Sequence, residues 1–288
     1  MTSEDFYPGL YHSADKASLS AQRRYLLAVQ FYSYSLVGLP IAAAASGAGK
    51  CSATVVVVLL VVSISLSMYL MLTADQRLWY AGRALAESVK TSTWQFVMRT
   101  APYNDDLAAE RKFLKTLEGL LSDHKALAKE LGGRSSAPPI SQGMRQCRAL
   151  RLQDKKERYL TDRVKEQCRW YSKKSTRNRR AQRNWFIFVW LSLGACILLI
   201  ALVDDYPQLK FVPIDIFAVV AATAFSWVQT KRFGELSASY ALTENEITLA
   251  AETVKSASDE RSLAAVVDDT ENAFSREHTQ WRARRNAV

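Results

Sequence analysis

Apolar residues are concentrated in four blocks along the chain, and polar segments separate the blocks into two close pairs. Roughly 20 mostly apolar residues are needed to cross the hydrocarbon core of a bilayer. The four blocks are long enough for this, and each predicts a membrane span: 27–46, 53–74, 185–203 and 211–230. A buried helix of a soluble protein is the alternative for any single block, but four blocks in two pairs favour a membrane protein.

The links inside the two pairs are short. Gly47–Ser52 joins the first pair and Asp204–Lys210 joins the second, so each pair is expected to form an antiparallel hairpin. The first link contains GAGK, which resembles the end of a phosphate-binding loop. The full motif requires Gly at position 44 and Ser or Thr at position 51, where the sequence has Ala44 and Cys51. We therefore reject a nucleotide site in this link.

The polar segments have helical periodicity. Residues 144–193 contain neither Gly nor Pro, which predicts one long helix that enters the third span. After the fourth span, apolar positions follow alternating steps of three and four, as in a coiled coil: Phe233, Leu236, Tyr240, Thr243, Ile247, Ala250 and Val254. We predict an oligomer seam there, carried by Leu236, Tyr240, Ile247 and Val254.

Two weaker apolar stripes precede the centre of the chain, and both predict helix-packing surfaces. The first is Leu78, Gly82, Leu85, Val89 and Phe96; the second is Leu107, Leu114, Leu117, Leu121 and Leu131. The predicted fold is an all-α membrane protein with two antiparallel transmembrane hairpins (four spans) and long cytoplasmic helices that are partly coiled-coil-like.

A linker divides the chain into two modules that share one layout. Residues 132–143 (GGRSSAPPISQG) have the Gly, Pro and Ser content of a loop. We therefore predict a first two-span module over 1–131 and a second over 144–288.

The charge distribution predicts the orientation in the membrane. The chain carries a net charge of +10. Residues 144–183 hold 15 Lys or Arg against four acids, and Lys231 and Arg232 directly follow the fourth span. Lys and Arg are retained on the cytoplasmic side, so both termini and the central segment are expected there. A basic segment can also bind RNA, DNA, a protein or an acidic ligand, but its position beside a span favours lipid, and we do not expect nucleic acid as a partner.

Residues with catalytic or metal-binding spacing do not stand out. The four cysteines and three histidines are scattered, and the carboxylates show no acid–base pattern. We expect no enzymatic activity, no metal and no cofactor. Polar residues inside the spans are candidates either for helix packing or for lining a pore: Ser63, Ser67, Asp215, Thr223 and Ser226.

Two groups of motif residues resemble one bacterial family. The segment 79–96 (WYAGRALAESVKTSTWQF) follows the first hairpin and resembles the SLATT domains, through Arg83, Glu87, Lys90 and Trp94. The segment 159–175 (YLTDRVKEQCRWYSKKS) is similar to another branch of the same superfamily, through Tyr159, Arg163, Trp170 and Tyr171. The resemblance covers nearly the whole chain from residue 17 onward.

The resemblance implies a function that the residues alone do not. SLATT domains are two-span modules associated with nucleotide second-messenger systems, so a tandem protein of the bacterial inner membrane is implied, acting as an effector in bacterial conflict. We expect it to form homo-oligomers and to permeabilise the membrane when a nucleotide-sensing or nucleotidyltransferase partner is activated. The alternative is a scaffold or receptor without a pore, whose cytoplasmic helices dock a signalling partner or an acidic ligand.

Overall fold

The computed structural model describes residues 6–47, 49, 52–132, 137–212 and 214–286, with side chains at most of these positions. All regular secondary structure in these ranges is helical. The α-helices are α1 (Gly9–Gly47), α2 (Ala53–Leu72), α3 (Asp75–Val97), α4 (Asp106–Asp123), α5 (Ala128–Leu131), α6 (Gln142–Arg148), α7 (Leu152–Tyr159), α8 (Glu166–Leu202), α9 (Asp215–Lys231), α10 (Phe233–Ser256) and α11 (Glu260–Asn286). Short 3₁₀ turns cover Lys125–Leu127 and Pro207–Phe211, and a π-helical turn covers Leu160–Lys165.

The chain forms two compact units, and each unit is discontinuous in sequence. The helical unit comprises residues 1–22, 74–173 and 239–288, and the span unit comprises residues 23–73 and 174–238. Each unit therefore takes segments from both predicted modules. The described residues of the predicted linker, 132 and 137–143, lie in the helical unit, and residues 133–136 are outside the described part of the chain.

Within the span unit, α1 and α2 run antiparallel. The Ser63 hydroxyl donates to the Ser35 hydroxyl at 2.8 Å, and Gly38 lies against Leu59. The contact partners on α2 move back towards its start as α1 advances, which defines the antiparallel direction. Ala48, Lys50 and Cys51 of the first predicted link lie outside the described residues.

Small residues hold α8 and α9 together in the same unit. Val189 of α8 forms a buried apolar cluster with Ala221 and Ala224 of α9. Ala221 and Ala224 allow a short distance between the two backbones because their side chains are small. Ser175 donates to the carbonyl of Ser237 at 2.9 Å, where α8 also contacts the start of α10.

In the described ranges, three helices are long and apolar enough to cross a membrane: Gly9–Gly47, Ala53–Leu72 and the continuous helical segment Leu152–Leu202. The fourth predicted span begins later than the sequence suggested. Val212 has an extended backbone with ψ 120°. The next residue in the sequence is a proline, and a proline disfavours helical backbone angles in the residue before it. Helix α9 therefore starts at Asp215 and has 17 residues, which is the lower limit of the roughly 17–25 residues that a crossing needs.

Helix α3 lies at the centre of the helical unit, where it packs against α4, α6 and α11. Leu85, Val89 and Phe96 are fully buried on it, so the first weak stripe is a packing face as predicted. Gly82 of the same stripe meets Ser18 of α1, and a Cβ on this glycine would lie 3.0 Å from the Ser18 Cβ. The glycine therefore permits the close approach of the two helices.

The second weak stripe is a packing face only in part. Leu117 is buried as predicted, and Leu131 packs against the core. Leu107 is 95% exposed, Leu114 and Leu121 also point outward, and Ala109 and Phe113 are the other buried residues of α4. The prediction followed leucines alone, whereas an alanine and a phenylalanine supply most of the packing face.

The predicted long helix over 144–193 is interrupted near its start. Helix α6 ends at Arg148, and the next helix begins at Leu152. The Arg148 guanidinium turns inward and donates to the carbonyl of Tyr103 at 2.7 Å and to the Asp106 carboxylate. From Leu152 the helical backbone continues to Leu202, with the π-helical turn inside it.

Candidate functional site

The motif residues of α3 share one face of that helix. Arg83, Glu87, Lys90 and Trp94 follow steps of four, three and four, which place side chains on one side of an α-helix. Trp94 and Lys90 are buried, and Arg83 pairs with Glu87 at 2.8 Å. A face with this many polar groups can be buried only if those groups find partners.

The segment that contains the second group of motif residues packs against this face of α3. Tyr159 ends α7, Arg163 lies in the π-helical turn, and Trp170 and Tyr171 lie on α8. Tyr159 and Arg163 are among the largest fully buried side chains of the protein. Single π-helical turns occur frequently at functional sites, and this one contains the buried arginine.

Glu271 of α11 is the acceptor at the centre of the site. Arg163 donates to both of its oxygens, from Nε at 2.8 Å and from Nη2 at 2.6 Å. Tyr159 donates its hydroxyl to Oε1 at 2.9 Å, and Thr91 of α3 donates to Oε2 at 3.1 Å. The carboxylate is fully buried and accepts four hydrogen bonds, so it joins α3, the π-helical turn and α11. We call these residues and the motif residues around them the Glu271 cluster.

Aromatic contacts connect the two motif groups directly. The rings of Trp94 and Tyr159 meet edge to face at 5.4 Å, and the Arg83 guanidinium lies 5.4 Å from the ring centroid of Trp170. The Trp94 indole also donates to the Tyr7 hydroxyl at 3.0 Å. The structure therefore brings all eight predicted motif positions into one region of the helical unit.

The charges of the Glu271 cluster are perturbed by burial. Lys90 and Arg163 lie outside the apolar spans. Burial lowers the pKa of the Lys90 ammonium, and the positive charge of Arg163 lowers it further. Burial also disfavours the Arg163 cation, but the charge and hydrogen bonds of Glu271 more than offset this, so the pKa of the guanidinium is raised. The Lys90 ammonium lies 5.6 Å from the ring centroid of Tyr7, which provides a cation–π contact.

Sequence reasoning missed Glu271. The buried residues of α11 include Leu263, Val267, Thr270 and Phe274, which recur at helical spacing. Glu271 occupies the same stripe, so an acid within an apolar helical stripe is the signal that could have identified it. Its partner Arg163 was found through the family resemblance instead.

The candidate positions inside the apolar spans have different environments. Ser63 is buried and bonded to Ser35, whereas Ser67 is exposed and donates to the carbonyl of Ile64. Thr223 is half-buried, and Ser226 and Asp215 are exposed, the latter as the first residue of α9. Ser63 therefore contributes a contact between α1 and α2, and the choice between helix packing and lining a pore stays a prediction for these positions.

Residues of the predicted oligomer seam pack inside the chain. Ile247 and Val254 belong to the core of the helical unit, and Tyr240 packs against the rings of Trp170 and Tyr171. Leu236 is half-buried in the span unit. Assembly through this seam stays a prediction.

In the Glu271 cluster, the buried charged groups of Arg163 and Glu271 are paired with each other. In the described part of the chain, no group of three or more His, Cys, Asp or Glu side chains could hold a metal ion. Cys147, Cys168 and Cys196 are free thiols. The cluster can fix α3 and α11 against each other, and its opening would expose paired charges.

The fold defines an all-helical protein with helices that can cross a membrane. Comparison with family models matches residues 8–156 to SMODS and SLOG-associating 2TM effector domain 3. Residues 159–281 match SMODS and SLOG-associating 2TM effector domain 1. The chain therefore belongs to the SLATT family and carries two such domains in tandem. No significant match was found among curated proteins or among solved structures.

The Glu271 cluster contains residues from both matched ranges. Thr91 and Trp94 lie within the first matched range, and Tyr159, Arg163 and Glu271 lie within the second. The matched ranges meet at residues 157 and 158, and the linker at 132–143 stays a prediction of the module boundary. The cluster therefore joins one SLATT domain to the other inside the helical unit.

Proposed function

We propose that this tandem SLATT protein is a membrane effector of a bacterial conflict system, activated by a nucleotide signal that a partner protein senses. In its active form it crosses the bacterial inner membrane four times, with both termini in the cytoplasm. On activation it forms homo-oligomers and permeabilises the membrane. The family supports the effector role, since SLATT domains are two-span effector domains associated with SMODS and SLOG systems.

The observation that carries the proposal is the exposed apolar surface of α2. Val58, Leu60, Val62 and Ile64 each expose between 41% and 59% of their surface, and at 3.6 residues per turn they point to opposite sides of the helix. Exposed apolar area on this scale requires a covering of lipid or of other protein helices. In an oligomer, one side of α2 can contact lipid while another side contacts the helices of a second copy.

The Glu271 cluster offers a way for a partner protein to control the membrane spans. It joins residues of both SLATT domains within the helical unit, and α1, α8 and α10 each begin in one unit and end in the other. A partner that binds the helical unit can therefore act on the spans through continuous helices. We propose that the cluster holds the resting arrangement.

A scaffold without a pore is the second candidate, and exposed residues on α10 favour it. Leu242 and Leu249 are 63% and 73% exposed and lie seven residues apart, on one face of the helix. An apolar pair of this kind can dock a signalling partner. In this case the spans anchor the protein and do not conduct.

Dye uptake by cells that carry the chain with its neighbouring genes distinguishes the two candidates. On challenge with a phage that activates the system, the effector proposal expects uptake with the native chain and loss of uptake with Ile64→Lys. A lysine at the centre of a span is costly. Leu107→Lys is the matched control, since Leu107 is exposed in the helical unit, and it should behave like the native chain.

The scaffold proposal expects a different pattern. Replacing both Leu242 and Leu249 by Ser should then abolish protection, while no dye enters cells with the native chain. Protection without dye uptake under every activating challenge would overturn the permeabilisation proposal and leave the scaffold.

A further inference from the structure

The span unit contains a groove between three of its helices. It has a volume of about 430 Å³ and is bounded by α1, α8 and α9. This volume falls in the range of about 300–1,000 Å³ that is usual for ligand pockets. Six of the lining residues characterise it: Gln30, Ser33, Tyr34, Trp185, Thr223 and Trp227.

The interior of the groove is apolar in character. Its lining includes Val37, Ile41, Phe188 and Val220, and the Ser33 hydroxyl is already used, since it donates to the carbonyl of Val29. A nucleotide or an ion placed here would lose its hydration without finding enough hydrogen bonds. The occupant that suits this lining is a hydrocarbon chain.

The length of the groove matches one leaflet of a bilayer. Its lining along α1 extends from Gln30 to Ile41. At about 1.5 Å per residue, eleven steps of a helix cover roughly 16 Å. The hydrocarbon core of a bilayer is about 30 Å thick, so the groove has the depth of one leaflet and the length of an acyl chain within it.

Positive charges lie beside the end of the groove that Trp227 lines. The Lys231 ammonium lies 5.5 Å from the ring centroid of Trp227, one residue beyond the predicted fourth span. Burial lowers the pKa of this ammonium, and the charges of Lys174 and Arg177 lower it further. Among the described residues, neither Lys231 nor Arg177 forms an ion pair, whereas the adjacent Arg232 pairs with Glu235 at 3.4 Å.

We propose that the groove between α1, α8 and α9 binds one acyl chain of an anionic phospholipid whose phosphate is held by Lys231, Arg177 and Lys174. The groove supplies the apolar contact, and the cations beside Trp227 supply the charge that a phosphate complements. A lipid at this position bridges α1 to α8 and α9, so the lipid composition of the membrane affects how the helices of the span unit pack. This binding does not require activation or permeabilisation.

Quenching of tryptophan fluorescence by brominated lipids tests the proposal. The full chain with Trp190→Phe, which removes an exposed tryptophan from the third span, is placed in nanodiscs of unlabelled phosphatidylcholine. Phosphatidylglycerol with brominated chains is added in increasing mole fraction, and brominated phosphatidylcholine serves as the comparison. Trp185 and Trp227 line the groove and report its occupancy.

We expect half-maximal quenching at a mole fraction of phosphatidylglycerol at least fivefold lower than that of phosphatidylcholine. Each cation near a membrane surface contributes about fivefold to the attraction of an anionic lipid. Lys231→Gln combined with Arg177→Gln should remove most of the preference. Arg179→Gln is a control that removes a positive charge from the same segment of α8 and should retain it, and inorganic phosphate should not compete.

Filling the groove provides the second arm. Thr223→Phe should weaken quenching by both lipids, with circular dichroism used to show that the helices are intact. Equal quenching by the two lipids, or a preference that survives the loss of Lys231 and Arg177, would overturn the proposal. Quenching that Thr223→Phe leaves unchanged would also overturn it. A change of oligomeric state in Thr223→Phe would overturn it as well, because it would show that a second copy covers the groove.

Discussion

Replacing Glu271 with glutamine keeps the shape of the side chain and removes the negative charge that faces Arg163 in the core of the helical unit. The guanidinium and the carboxylate are 1% and 0% exposed and lie 2.6 Å apart. In Glu271→Gln the Arg163 cation stays buried without an opposite charge. Tyr159 and Thr91 also lose the carboxylate that accepts their hydrogen bonds.

The burial of this ion pair determines how much stability Glu271→Gln is expected to lose. Breaking a buried pair by removing one partner destabilises a protein by about 3–5 kcal/mol. Domains are stable by only about 5–15 kcal/mol in total, so the loss is a large fraction for the helical unit. For a unit of this size, such a loss lowers the midpoint of thermal unfolding by roughly 10 °C.

Thermal unfolding followed by circular dichroism in nanodiscs measures the effect. Glu110→Gln is the matched control, because Glu110 pairs with Arg145 at 2.8 Å on the surface, where both side chains are about half exposed. It should leave the midpoint nearly unchanged. Arg163→Met combined with Glu271→Leu removes both charges and should be more stable than Glu271→Gln alone.

Two results would refute this reasoning. One is a midpoint for Glu271→Gln that equals that of the native chain and of Glu110→Gln. The other is a double variant no more stable than the single variant, because removing both charges should relieve the cost of leaving the Arg163 cation unpaired.

Three further predictions concern packing and charge. Gly82→Ala should lower the free energy of unfolding by about 1–3 kcal/mol, because the added methyl group meets Ser18. Denaturant titration measures this change, and an unchanged unfolding midpoint would contradict the close approach of α1 and α3. Lys90 has a lowered pKa in the folded state, so stability should rise with pH between that value and the ordinary value near 10.4. Lys90→Met should remove this rise in a pH series of unfolding midpoints, and an identical slope in both proteins would count against it. Ser63→Ala should destabilise the span unit by about 0.6 kcal/mol, whereas Ser67→Ala should have no effect in the same thermal assay; equal values for the two would contradict the packing role of Ser63.

The three helices that are long and apolar enough to cross a membrane in the described part of the chain could be predicted from the sequence, because they depend on the length and composition of single blocks. Ala53–Leu72 forms one helix within the predicted range 53–74. The start of α9 was less predictable, since it depends on the extended backbone at Val212 before a proline. The apolar pattern alone shows where a helix is favoured but not where it begins.

The Glu271 cluster could be predicted only in part. Its arginine, lysine and aromatic residues were identified through the family resemblance. Their common location was not predicted, because Thr91 and Glu271 are 180 residues apart in the chain. Contacts of this separation depend on how whole helices pack, which the local periodicity of one segment does not encode. The same reason explains why the two discontinuous units were not foreseen.

The membrane potential of living cells tests the central proposal most directly. Cells that carry the native chain with its neighbouring genes are challenged with an activating phage while a voltage-sensitive dye is followed, and cells that carry Ile64→Lys are followed in parallel. The account predicts that the native cells depolarise after the challenge and before lysis, and that the Ile64→Lys cells keep their potential. A stable potential in native cells that are nevertheless protected would contradict the proposal that this protein permeabilises the membrane.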